Sequence, residues 1–108
     1  MIDLPYTPDS LEQILRWGAT PDSSPYTHQE IANWCDQMHI ALMDVDCEPE
    51  VDQAISLAAD VDCQWDLFLA NTYNLEELQT LDFSHVRLPV EWFIEWLMEL
   101  KGTTEQGT

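Results

Sequence analysis

In a chain of 108 residues, 21 Asp and Glu stand against 3 Lys and Arg, for a formal net charge of −18 at pH 7. That length supplies one hydrophobic core and not two. The 45% apolar content, with five Trp, supplies enough apolar surface to offset chain entropy and excludes a disordered acidic tail. Cations this scarce exclude direct binding to DNA, RNA or an anionic membrane surface, each of which needs Lys and Arg against phosphate.

The first helix is predicted from Thr7-Pro8-Asp9-Ser10. Thr7 is the N-cap, Pro8 takes the first helical position, and Asp9 lies at the positive end of the helix dipole. Leu11, Ile14, Leu15 and Trp17 follow at helical spacing, with Gly18 as the expected stop. The stretch from Ala19 to Tyr26, with its prolines, serines and threonine, reads as a loop. Thr27-His28-Gln29-Glu30 is a capping box, in which Thr27 and Glu30 satisfy each other's orphan amides. Ile31, Trp34, Cys35, Met38 and Leu42 then line one face of a helix ending near Met43 or Asp44.

An acidic connector from Asp44 to Pro49 leads into a third helix with Val51, Ala54, Ile55 and Ala58 facing inward. A break is expected at Asp60-Val61-Asp62, ahead of a fourth helix carrying Trp65, Phe68 and Leu69; one long bent helix is the alternative. Asn74 and Glu77 form a further cap-like pair heading a short helix through Leu78. Residues 81–88 read as loop or a short extended piece. Pro89 opens a final helix in which Phe93, Trp96, Leu97 and Leu100 align, with Lys101 at the negative end of its dipole and Gly102 as terminator. The expectation is an all-α fold, a compact bundle of five or six short helices in a single domain over 1–102, followed by a polar tail over 103–108 that frays.

No apolar run approaches the length needed to cross a bilayer, and Met1-Ile2-Asp3-Leu4-Pro5 lacks the basic start of a secretory signal, so a cytoplasmic location is expected. Cys35, Cys47 and Cys63 are an odd count, read as reduced and mostly buried thiols.

Positive signs of catalysis are missing. The run from Asp44 to Asp52 places oxygens at alternate positions, as a calcium loop does. Counted from Asp44, however, Pro49 holds the place of the required Gly and Ile55 that of the bidentate Glu. Cys35 and His39 are four apart on one helix, two ligands short of a zinc site, and Cys35 lies on the apolar face. There is no Gly-rich phosphate loop, no GxSxG and no HExxH. No catalytic residue, metal ligand or cofactor is assigned.

The charge distribution is more informative than its total. Only Arg16, Arg87 and Lys101 are cationic, and no Lys or Arg occurs from Trp17 to Val86. Acids in that interval have no local counter-charge, and the long-range field they project calls for a basic protein partner. Asp44, Asp46, Glu48, Glu50 and Asp52, with Asp60 and Asp62 nearby, are the expected contact residues. In the final helix, Glu91, Glu95 and Glu99 step by four into one acidic stripe beside Trp92. Trp34, Trp65 and Trp96 are assigned to the core, whereas Trp92 makes the last helix apolar over too wide an arc for one core stripe.

The expected function is a protein-binding module: an inhibitor or immunity-type neutraliser of a basic protein such as a nuclease, acting by mimicry of DNA charge. Small acidic immunity proteins and DNA mimics share this composition, but no motif carries a resemblance to a family. Two alternatives remain open. One is a helical adaptor or homodimer with a hydrophobic interface on the Trp92/Met98 side of the last helix; the other is a metal-dependent enzyme.

Overall fold

Thr7 accepts a hydrogen bond from the Ser10 backbone N–H at 3.2 Å and opens α1, Pro8–Ala19. The Thr27–Glu30 capping box is complete in both directions and opens α2, His28–Leu42. An equivalent box between Asn74 and Glu77 opens α4, Leu75–Thr80. Each box satisfies two of the amide groups that a helix start leaves without a partner. The other two helices are α3, Pro49–Thr72, and α5, Val90–Glu105. The computed structural model describes residues 2–105, and the side chains of residues 2–101. Among the described residues there are five helices and no strand, an all-α bundle.

Three local expectations are corrected. The break at Asp60–Asp62 does not occur; the alternative of one long helix holds, and α3 runs unbroken for 24 residues with Val61 fully buried. Gly18 does not end α1. It lies inside the helix as a point of close approach, where the Phe93 ring occupies the volume a Cβ would need. Gly102 does not end α5 either, and Lys101 lies a turn short of the helix end. No described glycine has a positive φ, the conformation a glycine C-cap uses. The last residues of the expected tail, 106–108, lie outside the described residues.

α2 and α3 form a hairpin across the short connection 43–48, and α1 packs on α5. α3 also contacts α1 and α5, so it forms the spine of the bundle. Leu11, Ile14, Leu15, Ile31, Met38, Ala58, Val61 and Phe93 are sealed from solvent. Burial of a large apolar side chain contributes about 1.5–3 kcal/mol. Trp34, Trp65 and Trp96 are buried, as their helical positions predict. The Trp34 indole N–H also donates to the Leu4 carbonyl at 3.2 Å and ties the N-terminal segment to α2. Of the cysteines only Cys35 is buried, with its thiol pushed up by desolvation. Cys47 is half-buried and Cys63 exposed, because 63 falls on an outward face of the continuous α3.

One buried polar group pins the bundle together. His28, 2% exposed, accepts the Leu88 backbone N–H on Nδ1 at 2.8 Å. Its Nε2 therefore carries the proton and donates to the Gly18 carbonyl at 3.0 Å. Its ring lies 4.5 Å from that of Phe93. The imidazole thus joins the end of α1, the start of α2 and the segment leading into α5. Desolvation holds its pKa below 6.5, with the Gly18 hydrogen bond opposing and Arg87 assisting.

Candidate functional site

The residues singled out in the sequence occupy three places. Asp44, Asp46, Glu48, Glu50 and Asp52 are all exposed around the α2–α3 turn, and Glu48 is the N-cap of α3 without a side-chain capping bond. Ile40, Met43 and Val45, each more than half exposed, accompany them. Asp60 and Asp62 do not extend this patch. Asp60 lies two turns along α3 from Asp52, and two residues turn a helix by about 200°, so Asp60 and Asp62 look to opposite sides.

Asp60 faces α5. The Trp96 indole N–H donates to Asp60 Oδ2 at 2.7 Å, a short bond of the charge-assisted kind. Asp60, Gln64, Trp92, Glu95, Trp96 and Glu99 line a groove of about 310 Å³ between the two helices. Its aromatic wall is fixed by packing. Trp92 meets Trp96 edge-on at 6.4 Å and 71°, and Phe68 at 6.2 Å and 88°. The stripes responsible are spaced by four: Asp60, Gln64 and Phe68 on α3 against Trp92 and Trp96 on α5. Glu91 is exposed on the same side of α5 as Glu95.

Asp62 faces α2. Asp36, Asp62 and Asp66 crowd the α2–α3 surface, with His39 as the nearby basic group. Burial first, then the charges of Asp36 and Asp66 and a hydrogen bond with Asp36, push the Asp62 pKa up to about 6.

Two of the three cations are engaged elsewhere. Arg16 pairs with Glu12 at 3.0 Å within α1, and Arg87 with Asp22 at 3.0 Å. Both pairs are solvent-exposed and leave the α3 carboxylates unneutralised. Among the described residues, no three of His, Cys, Asp and Glu are arranged to hold a metal ion, and no helix is long and apolar enough to cross a membrane. A concavity of about 520 Å³ beside Tyr6, Trp34 and Glu30 contains none of the expected contact residues.

Sequence reasoning missed Gln64 and the polar role of Trp96. A four-residue stripe through Asp60, Gln64 and Phe68 is present in the sequence, but a helix break placed at Asp60 conceals it. The expected Trp92/Met98 face also divides. Six residues turn α5 by about 600°, which sets Met98 some 120° away from Trp92. Trp92 is half-buried against Phe68, while Met98 is 67% exposed beside Ile94.

Compared with protein-family models, curated proteins and solved structures, the chain finds no match.

Proposed function

We propose that this protein is a binding module for a basic protein, acting as an inhibitor or immunity-type neutraliser that presents a DNA-like density of negative charge. The observation that carries this reading is the convergence of carboxylates from α2, α3 and α5. Asp60 lines one groove with Glu95, and Asp62 lies near Asp36 on the opposite side of α3. Like charges so placed oppose folding, and a cationic partner is the external group that relieves them. The exposed run from Asp44 to Asp52 adds a long-range field suited to steering such a partner into contact.

The occupied surface of a basic nuclease or nucleic-acid-binding protein would then be closed to its own polyanionic ligand. A reducing, cytoplasmic setting suits the exposed free thiol of Cys63. The test is capture at low ionic strength of basic proteins from the native cell, followed by competition between this protein and DNA for the captured partner. Displacement of DNA supports the reading. Simultaneous binding of both to that partner removes charge mimicry.

A second reading has one specific observation in its favour. Ile94 and Met98 are exposed one turn apart on α5, an apolar pair that could seat an adaptor partner or a second copy of the chain. Sedimentation at rising salt separates the two readings, because hydrophobic self-association persists in salt while electrostatic association weakens.

A further inference from the structure

We propose that the tip of the α2–α3 hairpin is the docking surface for a cationic amphipathic segment, one in which apolar side chains are interspersed with Lys or Arg. This rests on the reading of the protein as a binder of a basic partner, and it adds an apolar anchor to the electrostatic contact.

Ile40, Met43 and Val45 are 55, 56 and 51% exposed. Ile40 and Met43 are three apart at the end of α2, about 60° from one another around its axis. Val45 continues this last turn, its N–H donating to the Leu42 carbonyl at 3.1 Å. Large apolar side chains left in water forgo the stabilisation that burial supplies. Gathered together and rimmed by charge, they have the anatomy of a protein interface, an apolar centre with a polar rim. The rim is of one sign. Asp44 and Asp46 alternate with Met43 and Val45 along the chain, and Glu48, Glu50 and Asp52 follow, all exposed.

That sign selects the occupant. Among the described residues, none of these five carboxylates enters an ion pair or accepts a hydrogen bond, Glu48 at the N-cap of α3 included. α2, the turn and α3 contain no Lys or Arg. A second copy of the chain docked here would set five carboxylates against five, and is repelled. An anionic membrane is repelled for the same reason. A cationic amphipathic segment meets the rim with opposite charge while its apolar side chains cover the centre.

The other exposed apolar positions lack this setting. Two of the acids around exposed Leu75 and Leu81, Glu77 and Asp82, already accept hydrogen bonds from the Asn74 and Ser84 N–H groups. On α5, exposed Met98 has Lys101 one turn on.

The experiment is an NMR titration of the full chain at low ionic strength, following the side-chain methyl signals. The probes are three peptides of equal length: an amphipathic Lys–Leu helix, the same peptide with every Leu changed to Ser, and the same peptide with every Lys changed to Glu. The expected result is saturable movement of the Ile40, Met43 and Val45 methyls by the Lys–Leu peptide. The methyls of buried Met38 and of Met98 on α5 should stay in place. The Lys–Ser peptide should bind about tenfold or more weakly, the worth of one large apolar side chain covered. The Glu–Leu peptide should move none of these signals.

Ile40→Gln with Met43→Gln and Val45→Thr alters only exposed positions. This variant should retain the dispersion of the spectrum and lose the advantage of Lys–Leu over Lys–Ser. Equal binding of the two cationic peptides, unchanged in the variant, would overturn the apolar anchor and leave the basic-partner reading standing. Movement of Met98 in place of Met43 would likewise overturn the hairpin tip alone. Movement of Met43 on concentrating the protein without peptide would make a second copy the occupant and overturn the proposal. No binding of either cationic peptide would overturn both the docking surface and the basic-partner reading.

Discussion

The ring of Phe93 on α5 fills the space that any side chain at Gly18 on α1 would need. This contact sets how closely the two helices approach, and it explains a glycine in the last turn of α1, where a glycine has lower helix propensity than alanine. Gly18→Ala should therefore destabilise the fold despite the better propensity, because the obstruction is an aromatic ring held in the core. A net loss of about 1–3 kcal/mol is expected in urea denaturation, the range for an overpacked core. Phe93→Leu in the same chain should restore part of it, a coupling that only neighbours in contact show.

His28 carries a second prediction. His28→Phe keeps a ring beside Phe93 but leaves the Gly18 carbonyl and the Leu88 N–H without their partner. Each buried group left unsatisfied costs about 1–3 kcal/mol. The pH dependence has a definite sign. Because the folded pKa lies below the unfolded value of 6.5, the unfolded chain takes up a proton first as pH falls. The stability due to neutral His28 is thus complete above pH 6.5 and is lost as pH falls toward the folded pKa. NMR titration of the His28 ring should give a midpoint below 6.5; a midpoint above it would contradict the buried neutral tautomer.

Asp62 runs the other way. Its folded pKa of about 6 lies above the ordinary 3.8, so between these values the folded protein holds a proton the unfolded chain has released. Stability is then lost as pH rises through that window and is not regained above it. Asp62→Asn should raise the melting temperature at pH 7.5, with a gain that shrinks below about pH 6 and vanishes near 3.8. An unchanged or lowered melting temperature at pH 7.5 would mean that neither burial nor the charges of Asp36 and Asp66 disfavour the ionised Asp62.

Much of the fold was legible in the sequence because short-range chemistry fixes it. The caps at Thr7, Thr27 and Asn74 are local pairings over three residues, and each starts a helix where the sequence places it. The apolar stripes identify Trp34, Trp65 and Trp96 as core. What was not legible depends on distant partners. Gly18 is a stop signal in isolation and becomes a packing contact only once Phe93 arrives from the far end of the chain. His28 looks like an ordinary first-turn residue, yet its two bonds reach ten residues back and sixty forward. The groove was concealed by one local misreading. Asp60-Val61-Asp62 resembles a break because two acids flank a β-branched residue, whereas in the continuous helix Val61 is buried and a rotation of about 200° over two residues sends the acids to opposite sides.

Repulsion among carboxylates also makes the whole fold salt-sensitive. Added NaCl should raise thermal stability, most steeply below about 0.1 M, where the Debye length of about 10 Å still exceeds the spacing of neighbouring charges. Loss of stability on adding salt would mean that the Arg16–Glu12 and Arg87–Asp22 pairs outweigh the repulsion.

The most direct test of binding to a basic protein is the association rate with the captured partner, measured from about 0.01 to 0.15 M ionic strength, over which the Debye length falls from about 30 to 8 Å. Three chains are compared: the native one, one with Asp44, Asp46, Glu48, Glu50 and Asp52 changed to their amides, and one with Asp60→Asn and Glu95→Gln. The expected result for the native chain is a rate that falls by about tenfold or more across this range. The five-amide chain should associate more slowly and with a flatter salt dependence, while the groove variant should mainly dissociate faster. A rate indifferent to salt and unchanged in both variants would contradict an electrostatic role for these carboxylates.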